Sequence, residues 1–274
     1  MYTINCKGKI VVMEQPLVMG IINATPDSFY KGNINEDMLQ LARQMIADGA
    51  DIVDIGGQST RPGSERIAAD EEIRRVLPLV KAIHNNFPET IISIDTYSSK
   101  VAIAAVEAGA SIVNDISAGN MDEEMIAVVA ALKVPYVCMH MQGTPDNMQK
   151  DPQYDDVAKE VLDFFIAKTA QCKNAGITDI IIDPGFGFGK TIAHNFSVLK
   201  KLQVFNMLRQ PILAGISRKG TIYKTLQTTA AAALNGTTVL NTIALMNGAS
   251  ILRVHDVKEA KEAITLFNAY KKAP

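Results

Sequence analysis

The sequence predicts an α/β protein that folds as a single (β/α)8 TIM barrel with a short N-terminal strand or hairpin. Apolar runs of strand length recur along the chain, and most end in a polar residue, as in Asp51–Asp54 and Ile91–Asp95. Stretches with helical spacing separate these runs, so strands and helices alternate. A typical barrel of this kind has roughly 250 residues. The chain has 274 residues, and we expect residues 1–274 to form one barrel domain.

Eight strands alternate with eight helical stretches in this prediction. The strands are expected near 17–22, 50–55, 91–95, 111–115, 134–139, 180–183, 212–215 and 249–254. The helices are expected near 36–48, 69–85, 99–108, 122–132, 155–175, 195–208, 221–247 with a break, and 256–272. Residues 1–15 precede these units and are expected to cross the barrel floor. A doubly wound open sheet is the alternative, but eight units with polar strand ends favour closure.

Two local signals support the alternation. Apolar residues recur at helical spacing between the strands, for example at Val76, Val80 and Ile83, and give one stripe that packs on a sheet. A glycine suited to the left-handed turn after a helix precedes several strands, as at Gly49 and Gly109. Continuous apolar strands covered by such helices indicate a parallel sheet.

The composition excludes several classes of protein. The residues are 47% hydrophobic and 20% charged, with a net charge of −2 and both signs mixed along the chain. The sequence has no basic stripe of the kind that nucleic-acid-binding proteins carry. No apolar run reaches the roughly 18 residues of a membrane span, and the first residues lack a signal-peptide pattern. We expect a cytoplasmic protein whose scattered cysteines, Cys6, Cys138 and Cys172, are reduced and buried.

Carboxylate and amide groups end the third, fourth and sixth predicted strands, at Asp95, Asn114 and Asp183. In a barrel these strand ends meet at one mouth, where catalytic groups lie. Asp and Asn after a strand also cap the following helix, which is the structural alternative. Capping is the weaker interpretation of Asp183, because Pro184 and a glycine run follow it.

Cationic groups follow the last two predicted strands. Period-two alternation places Arg253 and His255 on one face of the eighth strand, and Lys219 follows the seventh. Phosphate groups often bind near these two loops of a barrel. A histidine bonded within its loop is the alternative for His255. The loops at 23–32 and 56–64 hold hydroxyl, amide, guanidinium and proline residues that suit a lid over an anionic ligand, although surface connectors have similar compositions.

Six segments in this order closely resemble the dihydropteroate synthase family of pterin-binding enzymes. They are Asn23–Phe29, Asp54–Gly63, Ser93–Thr96, Asp183–Thr191, Gly215–Lys219 and Arg253–Asp256. Any one of them is a weak signal, whereas six ordered matches over nearly the whole chain are specific. The resemblance implies a barrel enzyme of folate synthesis. Such an enzyme joins 6-hydroxymethyl-7,8-dihydropterin pyrophosphate to p-aminobenzoate and releases pyrophosphate.

The resemblance also implies roles for particular residues. Those expected to bind the pterin are Asp95, Asn114, Asp183, Lys219 and Arg253. Those expected to bind pyrophosphate are Asn23, Thr60, Arg61, Arg253 and His255, with Asn23 also contacting Mg²⁺. Those expected around p-aminobenzoate are Phe29, Thr60, Pro62, Phe188, Ser217 and Lys219. The expected catalytic groups are Asp95, Lys219, Arg253 and His255, which act as preorganised charge.

Further expectations come from the family alone. They include a homodimer and inhibition by sulfonamides, which mimic p-aminobenzoate. The chain departs from the family pattern at Gln58, where Glu is expected, and at Tyr30 and Lys31, where Ser-Asp is more typical. Ion pairs within the two loops are therefore in doubt, but the groups expected at the pterin and pyrophosphate are unchanged.

Four alternatives remain beside this interpretation. A pterin-binding methyltransferase shares the Asp-Asn-Asp edge but needs no pyrophosphate pocket. A Schiff-base aldolase would use Lys219 in an apolar pocket, whereas Arg218 and other cations nearby favour a phosphate-side role. The Gly189–Thr191 segment hints at a P-loop, but Pro184 replaces the first glycine of that motif. A non-enzymatic binding protein is the broadest alternative, since a fold does not fix a function.

Overall fold

Eight parallel strands form a nearly closed barrel in the computed structural model. The structure describes residues 1–24, 34–59 and 66–274, without the side chains of residues 34 and 35. The strands are β1 (Tyr2–Cys6), β2 (Lys9–Met13), β3 (Leu17–Asn23), β4 (Ile52–Gly56), β5 (Ile91–Asp95), β6 (Ile112–Asp115), β7 (Tyr136–Met139), β8 (Ile180–Asp183), β9 (Leu213–Ala214) and β10 (Ile251–Val254). The barrel order is β8-β7-β6-β5-β4-β3-β10-β9, and a parallel bridge between Ile182 and Ile212 joins its ends. The predicted fold class is confirmed.

Helices cover the outside of the barrel. They are α1 (Ile34–Ala47), α2 (Ala69–Asn86), α3 (Ser99–Ala108), α4 (Met125–Leu132), α5 (Val157–Asn174), α6 (Ile192–Lys200), α7 (Gly220–Thr225), α8 (Leu234–Met246) and α9 (Val257–Lys272). The stretch predicted over 221–247 is broken as expected, because turns separate α7 from α8. Within the described ranges no helix is both long and apolar enough to cross a membrane.

The helix predicted over 195–208 differs from the structure in its start and in the type of its second half. Thr191 caps α6: its hydroxyl accepts a bond from the His194 backbone N–H at 3.1 Å, and His194 Nδ1 accepts one from the Thr191 N–H at 3.3 Å. This reciprocal capping starts the helix earlier than the apolar spacing suggests. The second half of the predicted helix is a 3-10 helix, Leu202–Leu208.

Side chains alternate between the two faces of each barrel strand. Outward residues such as Val53, Ile55, Ile92 and Ile94 are fully buried against the helices. Inward residues near the strand starts form a second apolar cluster inside the barrel. That cluster contains Met19, Ile52, Ile91, Ile112, Val137, Ile181, Leu213 and Ile251. The inward positions closer to the strand ends are therefore the ones available for polar groups.

An antiparallel hairpin of β1 and β2 closes the floor of the barrel, as the sequence predicts for residues 1–15. Its buried residues Ile4, Cys6 and Met13 belong to the same apolar cluster as the strand starts. The backbone N–H of Asn5 donates to Asp179 just before β8 at 3.1 Å. The hairpin excludes water from the end of the barrel opposite the polar strand ends.

Shortening a buried side chain of this β1–β2 hairpin, the plug of the barrel floor, should lower the stability of the protein without changing the polar mouth. We expect Ile4→Ala to reduce the free energy of unfolding by about 2–4 kcal/mol, because a buried isoleucine loses its contacts and leaves a cavity. Ile10→Ala on the same hairpin is the matched control, since Ile10 is 57% exposed. Urea unfolding measures both, and equal effects of the two changes would contradict the plug.

Candidate active site

Arg253 joins three strands at the mouth of the barrel. It projects inward from β10, and its Nε donates to Asp54 Oδ2 at 2.6 Å while Nη2 donates to Asp95 Oδ2 at 2.5 Å. Asn114 Nδ2 donates to the same Asp54 oxygen at 3.0 Å. In the parallel register Asp95 pairs with Asn114, and Asp54 pairs with Ser93, two positions before Asp95 on β5. One guanidinium thus organises two carboxylates and an amide.

Burial makes these charges interdependent. The Asp54 side chain is 0% exposed and the Asp95 side chain 11%. Burial, opposed by Arg253 and reinforced by Asp54, raises the pKa of Asp95 to about 7. Burial disfavours the charged form of Arg253, but Asp54 and Asp95 outweigh it and raise the pKa of Arg253 above its usual range. The guanidinium is therefore permanently charged, whereas Asp95 responds to whatever binds beside it.

Two buried oxygen atoms in this layer lack partners. Asp54 Oδ1 and Ser93 Oγ, on paired positions of β4 and β5, have no hydrogen-bond partner among the described residues. A buried polar atom without a partner costs roughly 1–3 kcal/mol. The described residues therefore leave hydrogen-bonding capacity unused inside the mouth, as expected of a functional site.

Asp183 ends β8 on the other side of the mouth. Its Oδ1 accepts the Gly185 backbone N–H at 2.8 Å, so it holds the following loop rather than capping a helix. A Cβ placed on Gly215 after β9 would lie 3.7 Å from Asp183 Oδ2, 3.8 Å from Lys219 Nζ and 3.9 Å from Arg253 Cβ. Asp183, Lys219 and Arg253 therefore converge around the end of β9. Burial raises the pKa of Asp183, and Lys219 opposes that shift.

Lys219 lies between the acids and an aromatic ring. Its Nζ donates to the Phe186 carbonyl at 2.5 Å and lies 4.6 Å from the centre of the Phe188 ring. Burial lowers the pKa of Lys219 to about 8, although the Asp183 carboxylate opposes the shift. The ammonium therefore carries its charge at neutral pH and loses it under mildly basic conditions.

His255 follows β10 on the same strand face as Arg253. Ser217 Oγ accepts the His255 backbone N–H at 3.2 Å and lies 3.0 Å from His255 Nδ1. A serine hydroxyl can both donate and accept; when its proton goes to Nδ1, the ring proton is on Nε2 and is available to a ligand. Burial and the Arg253 charge lower the pKa of His255 to about 4. At neutral pH His255 is a neutral ring with one N–H donor.

A small apolar cluster borders the polar groups. Tyr97, Ile116 and Met139 are buried together, with Met121, Met141 and Phe188 packed against them. These residues lie at or after the ends of β5, β6, β7 and β8; β5, β6 and β8 also supply Asp95, Asn114 and Asp183. The mouth therefore offers hydrogen-bonding groups beside an apolar wall, which suits a flat heterocycle.

The structure gathers five of the predicted residues at the mouth: Asp95, Asn114, Asp183, Lys219 and Arg253. The hydroxyl of Ser217 contacts His255, which gives it a supporting contact that the sequence did not suggest. Asn23 ends β3, is exposed and pairs in register with Gly56. The other predicted site residues, Phe29, Thr60, Arg61 and Pro62, lie outside the described residues, as do the departures Tyr30 and Lys31.

Other sequence expectations receive a structural explanation. Gln58 is nearly buried, and its amide bonds the Ser59 carbonyl and the Ile67 backbone N–H, at 2.9 and 2.8 Å. Arg218, whose position beside Lys219 favours a phosphate-side role for that lysine, is itself paired with an acid. Its Nε and Nη2 donate to the two carboxylate oxygens of Asp256, just before α9, at 2.8 and 2.7 Å. The charge of Arg218 is therefore already paired.

Sequence reasoning gave no role to two residues of the mouth. Asp54 ends a polar-tipped strand and lies within a family segment, so its strand position was a sufficient signal. Its contact with Arg253 spans 199 positions of sequence and appears only in the fold. Met139 ends β7, but its side chain is apolar, and only polar strand ends indicated the site in the sequence.

These features define a (β/α)8 enzyme that binds a flat heterocycle carrying an anionic group. The acids and amide supply hydrogen-bond partners for a ring edge, and Arg253, Lys219 and His255 supply positive charge and an N–H donor. The pterin binding enzyme family model matches residues 19–255.

Known proteins with similar sequences and structures agree with that match. Dihydropteroate synthase of Escherichia coli K12 is 42% identical over 268 residues, covering 96% of this chain and 94% of that protein. The Xanthomonas albilineans dihydropteroate synthase structure with 4-aminobenzoic acid has a TM-score of 0.94 at 37% identity, covering 99% of both chains. The Yersinia pestis enzyme in complex with a sulfonamide drug has a TM-score of 0.94 at 38% identity, covering 99% of this chain and 100% of that one. The chain belongs to the pterin-binding enzyme family, and within it to the dihydropteroate synthases.

Removal of the Asp54 charge tests the ion-pair cluster. We expect Asp54→Asn to lower the free energy of unfolding by about 1.5–3 kcal/mol, because Arg253 Nε loses its charged acceptor while the pair with Asp95 remains. Asp70→Asn is the control, since Asp70 pairs with Lys100 on the exposed surface and should contribute little. Chemical denaturation at pH 7 measures both variants. Similar small losses in the two would show that Arg253 does not depend on Asp54.

Proposed function

We propose that the barrel mouth of this chain condenses 6-hydroxymethyl-7,8-dihydropterin pyrophosphate with p-aminobenzoate to form 7,8-dihydropteroate and pyrophosphate, through the residue roles given below. The observation that carries this assignment is the convergence of Asp95, Asn114 and Asp183 with Arg253 and Lys219 at one end of the barrel. Acceptors for a heterocycle edge and cations for its leaving group are thus within one small volume.

The acidic side of the mouth is assigned to the pterin. Its aminopyrimidinone edge has adjacent donors and acceptors, which Asp95, Asn114 and Asp183 pair from neighbouring directions. Arg253 lies against Asp95 and so bounds the same pocket. The wall formed by Ile116, Met139 and their neighbours covers the ring face. Lys219 closes the pocket from the β9 side.

The cationic side is assigned to the pyrophosphate. His255 offers its Nε2–H, and Arg253 offers the part of its guanidinium that Asp54 and Asp95 leave available. By family resemblance Asn23, Thr60 and Arg61 complete this anion site. Neutral His255 donates one hydrogen bond, and the phosphate charge beside it would favour uptake of a proton.

The space beside Phe188 is assigned to p-aminobenzoate. Its ring packs on Phe188, and its carboxylate meets Lys219 and the Ser217 loop. By resemblance Phe29 from the loop at 23–32, and Thr60 and Pro62 from the loop at 56–64, complete this subsite. A sulfonamide has the same aryl amine and an anionic group in place of the carboxylate, so it should compete here.

Pyrophosphate loss precedes attack in the proposed mechanism. The bond between the pterin methylene carbon and the bridging oxygen breaks, and its electron pair leaves with pyrophosphate. The reduced ring carries the resulting positive charge, which Asp95 stabilises, while Arg253 and His255 stabilise the leaving group. The arylamine nitrogen then attacks the carbon and releases a proton to solvent. An arylamine needs no strong general base.

Magnesium is proposed as an ion that arrives with the pyrophosphate. Among the described residues no group of three or more His, Cys, Asp or Glu side chains could hold a metal. Asn23, exposed at the end of β3, fits an ion that keeps most of its ligands as water and phosphate oxygens. The ion would supply charge neutralisation for the leaving group.

Two finer assignments belong to the same proposal. We place the enzyme in the cytoplasm, and the three free cysteines, all buried, suit a reducing compartment.

We also assign a homodimer in which each copy covers the other's α8–α9 face. Its exposed apolar residues are Val239, Ile243, Met246, Leu266 and Tyr270. A two-fold interface of this kind buries the same patch on both copies. Residues 1–274 act as one pterin-binding domain.

Turnover with both substrates tests the reaction. We expect formation of dihydropteroate and pyrophosphate to require Mg²⁺. Without p-aminobenzoate, the bridging oxygen label of the pterin pyrophosphate should exchange into non-bridging positions, because the carbon–oxygen bond breaks first. Mass spectrometry measures the product, and the isotope shift in phosphorus NMR measures the position of the label. Product formation without any label exchange would contradict dissociation before attack, and absence of product would refute the function.

The pH dependence tests the role of Lys219. Because its folded-state pKa is lowered to about 8, the ammonium is lost as the pH rises through that value. We expect kcat/KM for p-aminobenzoate to fall about tenfold per pH unit above this point. Lys219→Arg should move this limb to higher pH with a lower plateau, and His255→Asn should leave its position unchanged. A limb that stays in place in Lys219→Arg would assign it to another group.

Substitution on α9 tests the dimer. Leu266 is 72% exposed, so Leu266→Glu should leave the monomer fold intact while placing a charge in the interface. We expect a mass near 29.7 kDa for this variant and about twice that for the unchanged chain, by light scattering after size exclusion. Thr265→Glu, on an exposed neighbouring position, is the control. A dimeric Leu266→Glu variant would exclude this face.

A further inference from the structure

The loop after β8 contains a buried lysine with no carboxylate partner in its hydrogen bonds. Lys190 is 2% exposed. Its Nζ lies 2.9 Å from His140 Nδ1, 3.1 Å from the Gly185 carbonyl, 3.1 Å from the Phe188 carbonyl and 3.4 Å from the His140 carbonyl. A lysine is almost never buried this completely without an acid beside it. Burial lowers the pKa of Lys190 to about 7 although the nearby Asp183 charge opposes the shift, so the carbonyl oxygens around its Nζ offset only part of the desolvation.

The backbone of residues 184–191 is shaped around this ammonium. Gly185, Gly187 and Gly189 have φ of 71°, 82° and 59°. A Cβ on Gly185 would lie 1.9 Å from the His140 carbonyl oxygen, and one on Gly189 would lie 2.4 Å from the Gln142 carbonyl oxygen. Left-handed backbone and these close approaches both require glycine. The loop thus packs directly on the segment that follows β7, where His140 lies.

The same loop carries the arylamine side of the mouth. The Phe186 carbonyl holds Lys219 Nζ, and the Phe188 ring lies beneath that ammonium. Lys190 binds the carbonyls of Gly185 and Phe188, which flank this stretch on both sides. Further donors hold the loop from outside: Gln149 bonds the Gly187 carbonyl at 2.6 Å and Tyr154 the Gly189 carbonyl at 2.7 Å. Lys190 is the interior member of this set.

The state of His140 agrees with such a role. Burial, with the nearby Lys190 charge, lowers the pKa of His140 to about 2, so its ring is neutral and Nδ1 accepts from the ammonium. The ring packs edge-on against Phe164 at 4.9 Å and faces Tyr154 at 6.2 Å. A neutral acceptor fixed by aromatic packing holds Lys190 in one position.

We propose that Lys190 is a positioning residue for p-aminobenzoate: by tying the carbonyls of Gly185 and Phe188 to His140, it sets the loop that presents Phe188 and holds Lys219. This role rests on the proposed function. Among the pterin groups, Asp95 and Asn114 lie on other strands, whereas Asp183 and Lys219 contact the loop through the Gly185 N–H and the Phe186 carbonyl. The loop supplies Phe188 to p-aminobenzoate directly, so we expect Lys190 to act on that substrate more than on the pterin.

Lys190→Met keeps the length of the side chain and removes its donors and charge. We expect the KM for p-aminobenzoate to rise at least about tenfold, equivalent to roughly 1.4 kcal/mol, while the KM for the pterin pyrophosphate changes less than twofold. His140→Phe keeps the aromatic packing but removes the Nδ1 acceptor, and should raise the same KM about threefold. Lys173→Met, at an exposed position of α5, is the control.

Steady-state kinetics and the thermal unfolding midpoint of each variant separate positioning from stability. Equal changes in the two KM values, or a lower midpoint with both KM values unchanged, would overturn the proposal. If Lys190→Met does not fold, His140→Phe decides by the same ratio of KM values. Turnover by the unchanged chain is measured first. Its absence would refute the proposed function, whereas normal turnover with an unchanged KM ratio in the variants refutes the role of Lys190 alone.

Discussion

The two ion pairs of Arg253 are the constraint on which the rest of the mouth depends. Asp54 and Asp95 lie on adjacent strands in a region of low dielectric, where two unpaired carboxylates would repel each other strongly. The guanidinium from β10 neutralises both and fixes which oxygen of each acid faces inward. It also limits its own chemistry. Nε and one N–H of Nη2 bond the acids, so an incoming anion is left the second N–H of Nη2 and the two of Nη1.

Much of this arrangement follows from the order of polar and apolar residues. Strands buried on both faces read as apolar runs, and a polar residue at the inward position near the end of such a run faces the mouth. That rule located Asp95, Asn114, Asp183 and Arg253. It gave no partners, because the pairing of Arg253 with Asp54 depends on closure of a sheet whose first and last strands are far apart in sequence. Helix limits were also less predictable where capping by Thr191 competes with apolar spacing. The roles of Thr60, Arg61, Pro62 and Phe29 remain predictions.

The loop after β8 shows most clearly what sequence could not provide. Its Gly-Lys-Thr letters resemble those of a phosphate-binding loop, in which backbone N–H groups surround an anion. In the fold, two carbonyls of this loop, those of Gly185 and Phe188, point inward and bond the ammonium of Lys190 instead. The direction of a carbonyl depends on the φ values of Gly185, Gly187 and Gly189, and residue type alone permits either sign. The same Gly-Lys-Thr sequence can therefore form a loop that surrounds an anion or one that surrounds a cation.

The ring of strands has one weak joint. β9 is two residues long, pairs with β10 through Leu213 and Ala214, and meets the β8 side through the bridge at Ile212. By contrast, five residue pairs join β3 to β4. Breathing of the barrel should therefore concentrate at this seam. Ser217 and Lys219 follow β9 at this seam, whereas Asp54 and Asp95 lie on β4 and β5, which five residue pairs join. We therefore expect the p-aminobenzoate side of the mouth to be more mobile than the side that holds Asp54 and Asp95.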